Sequence, residues 1–384
     1  MKKAIVLGVG NAQVDLIRYL KALGWWVIGC SYRQEGRGLE YIDQFALFDI
    51  TDVDGIERLA RAEAVDLIYS IGSDLAMPTA ARVASRLGLP ALVSAETAEL
   101  LHNKLSLRGF LNEHAISPIR YKGLRSPSDL DDWSIFPAIV KPVDNQGQRG
   151  VFLANSLEEA RAGFASSLQF SRSRTLIIEE FLEGPEVSVN TFIVNGKTVF
   201  NEVSDRLVVE GYTGGLPRGH IHPSVHCPEE VRREVQALTV SCNRALGIQN
   251  GPVYYQAILT RHGPRIVEVT PRLDGCHMWR LIKMTSGVDL LEASVRSLMQ
   301  EPPPNLSVDA GLPSRYLGFF YTPPHEKFYT TAHVPSAVVE HLEYYYADGE
   351  SVRPINGYLE KVGYFIEPYS DYSASNGAKF SMNS

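Results

Sequence analysis

Short apolar runs alternate with segments of helical hydrophobic spacing over the first hundred residues. The candidate strands lie at residues 4–7, 26–28, 45–48 and 66–71, and the candidate helices lie at residues 14–23, 56–62 and 76–87. Unbroken apolar runs that are joined by helices are typical of a parallel sheet covered on both faces. The pattern predicts a doubly wound α/β domain over residues 1–93.

From Ser94 onward the pattern changes to helices mixed with strand hairpins. Ser94 is expected to cap a helix that continues through residue 111. Further strands are predicted at residues 137–142, 151–153, 174–182, 187–194 and 198–203, helices at 228–246 and 288–299, and a hairpin over 253–270. Asn195 and Gly196 favour a type I′ turn between two of these strands.

A proline-rich linker at residues 302–304 precedes a last segment that is rich in strand patterns. Turns are expected at Asp348–Gly349 and Asn356–Gly357. The residues from Ser373 onward have the composition of a frayed tail.

Composition and charge narrow the class of protein. The chain has 384 residues, enough for two or three domains, and its 45% hydrophobic residues rule out disorder as the main state. Its net charge of −7 argues against a nucleic-acid coat or a basic membrane arm. No apolar run approaches the ~18 residues that span a bilayer, and no cleavage site follows the short N-terminal run. Four cysteines without a CxxC pair are expected to be reduced, which favours a cytoplasmic protein.

Two short motifs resemble nucleotide-binding loops. Gly8 and Gly10 follow a strand and open a helix, but Gln13 replaces the third glycine of a dinucleotide fingerprint, and the acidic residue expected ~20 positions later is missing. We interpret this segment as a tight turn, with an NADP-dependent oxidoreductase as the open alternative. Residues 195–198 resemble the end of a phosphate-binding loop, but they lie in a hairpin and are rejected as one.

The hairpin over residues 253–270 carries the strongest candidate site. With a three-residue loop at 261–263, Gln256 and Glu268 lie directly opposite each other on one sheet face, with Thr270 two residues further on. Oxygen-bearing side chains that converge in this way suit a hard cation such as Mg²⁺ (or Mn²⁺), which commonly shares its oxygen ligands with phosphates. Arg272 follows the strand, and a guanidinium suits a phosphoryl group or a carboxylate.

Two upstream segments carry further candidates. Lys141 ends an apolar strand and precedes the polar, glycine-containing loop 144–150, whose backbone N–H groups can fold over phosphate oxygens. The strand that ends in Glu179 and Glu180 continues to a Gly-Pro break, and Glu186 follows that break as a candidate for ribose hydroxyls. Each segment alone also fits an ordinary hairpin or turn.

These three parts occur in one order, and in that order they resemble the ATP-grasp superfamily of the carboxylate–amine ligase type. The resemblance runs from about residue 94 to residue 299. It implies an N-terminal Rossmann-like domain (1–93), a two-subdomain ATP-grasp α+β fold (94–185 and 186–300) and a small β-rich C-terminal lid with a tail (301–384).

The resemblance also implies roles for individual residues. ATP phosphates would be contacted by Lys104, Lys141 and the flap that contains Gln148 and Gly150. The backbone at Glu180 and Leu182 would pair with the adenine, Glu179 would belong to the same cofactor site, and Glu186 would bind the ribose. The Mg²⁺ ligands would be Gln256, Glu268 and Thr270, and Arg272, Lys141 and Arg218 would be the catalytic cations.

Two positions depart from the family pattern. Most members carry a carboxylate where this chain has Gln256, and an asparagine where it has Thr270. Carbamoyl phosphate synthetases also use glutamine at the first position. One negative charge is nevertheless missing, so a non-catalytic nucleotide sensor stays an alternative.

The implied reaction activates a carboxylate with ATP as an acyl phosphate, which an amine then attacks. Phosphoryl transfer needs positioning and charge neutralisation more than covalent help. Substrates, plausibly amino acids, are expected at Arg218, His220, Arg272, His277 and Arg315. His220, His222, His226 and Cys227 also resemble a zinc cluster, which is the less favoured interpretation.

A carboxylase or carbamoyl-phosphate-type enzyme is the alternative with the same fold. The partners expected are a small-molecule carboxylate and an amine, with no nucleic acid and no membrane. A homodimer is common in the resembling family and is expected here.

Overall fold

The computed structural model describes residues 1–211, 215–309, 311–335, 338–355 and 359–370. A parallel four-stranded sheet with the order β3-β2-β1-β4 forms the N-terminal domain. Its elements are β1 (Lys3–Leu7), α1 (Val14–Ala22), β2 (Trp26–Ser31), β3 (Gln44–Leu47), α2 (Val53–Glu63), β4 (Leu67–Tyr69) and α3 (Ala76–Leu87). Ala4 and Val6 enter one hydrophobic core, while Ile5 and Leu7 enter another on the opposite face. The sheet is therefore buried on both faces, as the unbroken apolar runs predicted.

Gln13 closes the glycine turn after β1. Its Oε1 accepts a hydrogen bond from Gly10 N at 3.0 Å, and its Nε2 donates to Ile71 O at 2.5 Å. A Cβ on Gly8 would lie 3.1 Å from the Gln13 side chain. The side chain thus fills space directly over the turn, which supports the interpretation as a tight strand-to-helix connection.

The predicted helix over residues 94–111 is wrong as a single helix. Ser94 does cap a helix, because its hydroxyl accepts from Thr97 N at 3.1 Å, but that helix is α4 (Ala95–His102). Asn103 has extended backbone and caps a second helix, α5 (Lys104–Glu113), by accepting from Leu105 N and Ser106 N. The break places Lys104 at the first turn of a new helix.

A second four-stranded sheet, antiparallel, follows with the order β5-β8-β6-β7. Its elements are β5 (Tyr121–Leu124), β6 (Ala138–Pro142), β7 (Phe152–Ala154), α6 (Leu157–Leu168) and β8 (Leu176–Glu180). Val140, Leu176 and Ile178 pack with Phe164 of α6 in a core of their own. We call this the small sheet.

The third sheet has eight antiparallel strands in the order β13-β12-β9-β10-β11-β14-β16-β15. Its elements are β9 (Glu186–Val194), β10 (Lys197–Val208), β11 (Pro217–His222), α7 (Glu229–Ala245), β12 (Gly251–Thr260), β13 (Gly263–Thr270), α8 (Met278–Ser286), α9 (Leu290–Leu298), β14 (Arg315–Thr322), β15 (His341–Tyr344) and β16 (Glu360–Pro368). We call this the large sheet. The C-terminal segment is rich in strands, as predicted, and its strands extend the large sheet.

Asn195 and Gly196 form the β9–β10 turn with φ angles of 51° and 74°, which confirms the hairpin. The expected turn at Asn356–Gly357 and the expected tail from Ser373 lie outside the described residues. Within the described part of the chain, no helix is both long and apolar enough to cross a membrane.

A buried polar network joins the N-terminal domain to the C-terminal half of the chain. Asp15 of α1 accepts hydrogen bonds from His277 Nδ1 at 2.8 Å, Trp279 Nε1 at 3.0 Å and Arg280 Nη2 at 3.1 Å. His277 Nε2 is bonded to the Tyr345 hydroxyl at 2.7 Å. Burial alone would raise the pKa of Asp15, but its bond to His277 and the charges around it lower that pKa. One carboxylate thus fixes α1 against α8.

We predict that Asp15→Ala lowers the free energy of unfolding by about 3–5 kcal/mol, because it leaves buried donors and a cation without their carboxylate. Urea denaturation measures the change. Asp54→Ala is the matched control, since Asp54 forms an exposed ion pair with Arg86. It should stay close to wild type. Equal losses in the two variants would contradict the role of the network.

Candidate functional site

The β12–β13 hairpin places Gln256 directly opposite Glu268, as predicted. The predicted three-residue loop is wrong, because Thr260 pairs with Gly263 and Ala257 pairs with Ile266. The register shifts between Ala257 and Gln256, where β13 carries one extra residue. This β-bulge offsets the shorter loop and restores the pairing of the two polar side chains.

Strand pairing aligns a row of polar side chains on one face of the large sheet. Arg206 of β10 pairs with Glu186 of β9 on one side and with His220 of β11 on the other. Glu186 pairs with Ile258, two residues from Gln256. Because paired residues share a face and the strand period is two, this row continues through Gln256 to Glu268. We call this surface the polar face.

Glu186 is held by two partners on the polar face. It forms an ion pair with Arg206 and accepts a hydrogen bond from Gln256 Nε2 at 2.8 Å. Arg206 also donates to Gly215 O at 2.8 Å. The side-chain nitrogen of Gln256 therefore donates to Glu186, and the side-chain oxygen of Gln256 remains available as a ligand or hydrogen-bond acceptor. The predicted role of Glu186 at a ribose stays a prediction.

Glu268 and Thr270 supply oxygens that nothing else in the described part of the chain engages. The half-buried Glu268 carboxylate has no ion pair or hydrogen bond there, and the buried Thr270 hydroxyl is without a partner. Together with Gln256 Oε1 they make a set of hard oxygen donors, so these residues fit the Mg²⁺ that the sequence predicted. Only one of the three carries a charge.

Arg272 lies beside this set and is anchored by the N-terminal domain. It forms an ion pair with Asp74 and donates to Leu273 O at 3.0 Å. Burial opposes its charge, but Asp74 and Glu268 outweigh burial and raise the pKa of Arg272. The loop after β4 packs closely here: Gly72 N donates to Leu273 O at 3.1 Å, and a Cβ on Gly72 would lie 2.9 Å from Gly275 Cα.

Sequence reasoning missed Asp74. It is 198 positions away from Arg272, and no local pattern links the two residues. The backbone N–H of Asp74 also donates to Gln146 Oε1 of the candidate phosphate flap at 2.8 Å. Asp74 therefore contacts both Arg272 and the loop 144–150.

Lys141 and Glu179 form a buried ion pair at 2.6 Å in the small sheet. Arg108 Nε, on α5, donates to the other oxygen of Glu179 at 2.8 Å. Burial would raise the pKa of Glu179, but the charges of Arg108 and Lys141 lower it to about 2. Burial lowers the pKa of Lys141, and Glu179 only partly offsets that effect. Arg108 was missed because its helix position gave no sign that it is fully buried.

Hydrogen bonds of Asp144 hold the base of the loop 144–150, and the tip of the loop contains two glycines. Asp144 accepts from Ser171 Oγ at 2.9 Å and from Ser173 N at 2.6 Å. Burial would raise its pKa, but these bonds lower it. Lys104 Nζ donates to Asn145 O at 2.5 Å, so this predicted phosphate ligand contacts the loop backbone. Gly147, Gln148 and Gly150 at the tip of the loop all have positive φ angles, in the left-handed region of backbone conformation.

The remaining predicted residues are distributed as follows. Glu180 accepts from Arg120 N at 2.9 Å, and Leu182 lies just beyond β8. Arg315 forms an ion pair with Glu340 at the start of β14. His277 has both ring nitrogens engaged in the Asp15 network. Arg218, whose buried Nε has no partner, lies on β11 with His220, and residues 212–214 before this strand are outside the described residues.

His220 is fully buried, and neither ring nitrogen has a partner. Burial and the nearby charges of Arg206 and Lys361 hold its pKa well below its ordinary value. His222 bonds to Thr285 and His226 to Asp205 instead of converging. Among the described residues, no three His, Cys, Asp or Glu side chains are placed to hold a metal ion, so the zinc interpretation has no structural support.

Comparison with known proteins identifies the class. Residues 134–279 match the family model of the ATP-grasp domain. The chain carries an ATP-grasp domain, and the predicted ATP-grasp fold is confirmed.

Individual relatives are distant. Dapdiamide A synthase of Enterobacter agglomerans is 26% identical over 186 residues, which cover 46% of this chain and 42% of the relative. Phosphoribosylamine–glycine ligase of Methanosarcina barkeri is 26% identical over 294 residues, covering 70% and 66%. The crystal structure of L-amino acid ligase from Bacillus licheniformis superposes with a TM-score of 0.78 at 16% identity, covering 98% of this chain and 95% of that one. The chain spans less than two thirds of the length of either curated relative.

We predict that Glu179→Gln destabilises the protein by about 3–5 kcal/mol at pH 7, because it leaves Lys141 and Arg108 buried without an anion. The folded pKa of about 2 lies below the ordinary 4.5, so the Glu179 carboxylate stabilises the fold above about pH 4.5. That contribution is lost as the pH falls toward 2. The variant should therefore show a flatter fall in stability over this range.

Urea denaturation from pH 7 down to pH 2.5 measures both effects. Glu158→Gln, at an exposed position at the start of α6, is the control and should follow wild type. A Glu179 variant with wild-type stability and slope would show that the pair contributes nothing.

Proposed function

We propose that the chain is an ATP-dependent carboxylate–amine ligase. It phosphorylates a small-molecule carboxylate with ATP to form an acyl phosphate and ADP, and an amine then displaces the phosphate to form an amide. The observation that carries the proposal is the unpartnered Glu268 carboxylate opposite Gln256, with the buried Arg272 beside it. An anion with no cation of its own, next to a fixed guanidinium, suits a metal-bound phosphoryl group.

Nucleotide binding is assigned to the small sheet and the polar face. Lys141 and Lys104 would contact the phosphates, and the loop with Gln148 and Gly150 would fold over them. The backbone near Glu180 and Leu182 would meet the adenine, and Glu186 would meet the ribose. The burial of Lys141 supports this, since a desolvated ammonium binds phosphate oxygens more strongly than an exposed one.

The chemistry of the first step needs charge neutralisation and position. Gln256, Glu268 and Thr270 would hold Mg²⁺, which would supply positive charge next to the ATP phosphates. Arg272 would hold the substrate carboxylate in line, and its bond to Asp74 would fix the guanidinium before substrate arrives. In the second step the amine attacks the carbonyl carbon, the phosphate leaves with its bonding electron pair, and the amine loses a proton.

The names of the relatives support a C–N ligase, and two of them point to amino acids as substrates. A homodimer and a cytoplasmic location stay predictions. The specific feature that favours a second candidate, a nucleotide sensor, is the single charge among the three proposed metal ligands.

The direct test is ADP and phosphate release from Mg-ATP with a panel of organic acids and amines. Release that requires both an acid and an amine supports the ligase. Release with bicarbonate and no other acid would support the carboxylase alternative. Nucleotide binding without release under every combination would support the sensor and contradict the ligase.

We predict that Glu268→Ala lowers turnover by at least about 1,000-fold, because it removes the only formal charge of the metal set. Phosphate release measures turnover. The melting temperature should change little, since Glu268 forms no ion pair or hydrogen bond among the described residues and Asp74 still pairs with Arg272. Glu230→Ala, exposed on α7, is the control and should keep full activity. Normal turnover in the Glu268 variant would contradict the assignment of Glu268 as a metal ligand.

We predict that Lys141→Ala raises the Kd of Mg-ATP by about 10-fold or more, because one charge-assisted bond to phosphate is lost. Isothermal titration calorimetry measures the Kd, and circular dichroism checks the fold. Lys122→Ala is the control on strand β5 of the same sheet, where Lys122 pairs with the exposed Asp132. Similar affinities for the two variants would contradict the assignment of Lys141.

A further inference from the structure

Lys361, on β16 in the C-terminal segment, forms no ion pair with a carboxylate of the described residues. Its Nζ lies 3.6 Å from the centroid of the Phe319 ring and donates to Cys276 Sγ at 3.5 Å. No carboxylate of the described residues lies within ion-pair distance of it. Five other lysines do have carboxylate partners: Lys3, Lys21, Lys122, Lys141 and Lys283.

The surroundings of Lys361 direct it toward the proposed reaction centre. Lys361 pairs with Tyr321 of β14, two residues from Phe319, so the ring and the ammonium share one face of the large sheet. Cys276 follows Arg272 by four positions. Burial raises the pKa of the Cys276 thiol, while the charges of Lys361 and Arg206 oppose that shift. Lys361 is therefore close to the polar face and to the segment that carries Arg272.

Asp274 adds an unused acceptor to the same place. Its Oδ1 accepts from Cys276 N at 3.0 Å and from Met278 N at 3.3 Å, but its Oδ2 is buried and has no partner. The residue is only 6% exposed. Burial raises the pKa of Asp274, and the charges of Arg272 and Lys361 partly offset this. The Asp274 carboxylate and the Lys361 ammonium both contact Cys276, and a carboxylate and an ammonium placed in this way match the two charges of a zwitterion.

The chemistry of Lys361 favours a carboxylate over a phosphate. A phosphate dianion is normally held by several donors, often including a guanidinium. Lys361 is a single ammonium with an aromatic ring on one side and a weak thiol acceptor on another. The ring and the thiol shield it from water without neutralising it, so one monoanionic group is enough to complete its coordination.

We propose that Lys361 binds the carboxylate of an amino acid that serves as the amine substrate, and that Asp274 Oδ2 receives its amino group. The proposal rests on the proposed ligase function. The reacting carboxylate of the other substrate belongs at Arg272, so Lys361 holds a second carboxylate that is not activated. Lys361 is thus a specificity-determining residue that selects amines with a nearby carboxylate against simple amines.

Direct binding tests the subsite without depending on turnover. Each of the twenty proteinogenic L-amino acids is titrated by calorimetry beside its carboxamide, with a non-hydrolysable ATP analogue and Mg²⁺ present. We expect at least one amino acid to bind wild type, with its carboxamide at least about 10-fold weaker. Lys361→Met should raise the Kd of that amino acid by about 10- to 100-fold and abolish the preference over the carboxamide. Lys361→Arg should restore part of the affinity.

A matched variant and a local probe make the result specific. Lys327→Met removes an exposed lysine of the same C-terminal segment and should leave binding unchanged. Cys276 is the partly exposed one of the four cysteines, so the bound amino acid should slow its alkylation by iodoacetamide in wild type but not in Lys361→Met.

Three outcomes would overturn the proposal: no amino acid binds wild type, Lys361→Met keeps wild-type affinity, or the carboxamides bind wild type as tightly as the amino acids. Failure of the ligase itself is distinguishable. If amino-acid binding depends on Lys361 but no ADP is released, the subsite proposal holds and the ligase proposal is wrong. If ADP release needs both an acid and an amine but Lys361→Met keeps its affinity, the ligase proposal holds and the subsite proposal is wrong.

Discussion

Charge compensation across segment boundaries is the constraint on which this site depends. Buried cations are costly unless a carboxylate meets them, and here each partner comes from a different part of the chain. Glu179 of the small sheet compensates Arg108 of α5 as well as Lys141. Asp74 of the N-terminal domain compensates Arg272, which follows the large sheet. The same pairs that stabilise the fold therefore hold the candidate catalytic cations in position.

The charges that are left without partners are as informative as the paired ones. Neither Glu268 nor Lys361 forms an ion pair among the described residues, and Asp274 Oδ2 has no hydrogen-bond donor. Each costs free energy unless a ligand completes it. In the proposed ligase, Glu268 would belong to the metal site and Lys361 with Asp274 to the amino-acid site, so that the two substrate carboxylates would bind at different places.

Local patterns predicted most of the elements, because hydrophobic period and turn chemistry are local properties. The helix at residues 76–87 and the turn at Asn195–Gly196 are of this kind. The prediction of a single helix over residues 94–111 was wrong because both α4 and α5 have helical hydrophobic spacing. Only the extended backbone at Asn103 separates the two helices. The predicted length of the β12–β13 loop was wrong for a related reason. A β-bulge in β13 compensates for a shorter loop, and neither feature has a clear sequence signal.

The sequence by itself determined the order of the ATP-grasp parts, the doubly wound N-terminal domain and the pairing of Gln256 with Glu268. It could do so because residues close in the chain meet through regular geometry. Only the tertiary structure decided that Asp74 anchors Arg272, that Arg108 is buried against Glu179, and that Lys361 reaches Cys276. These contacts join residues 71 to 198 positions apart, and long-range proximity follows from how the packed sheets are arranged, which no local period encodes.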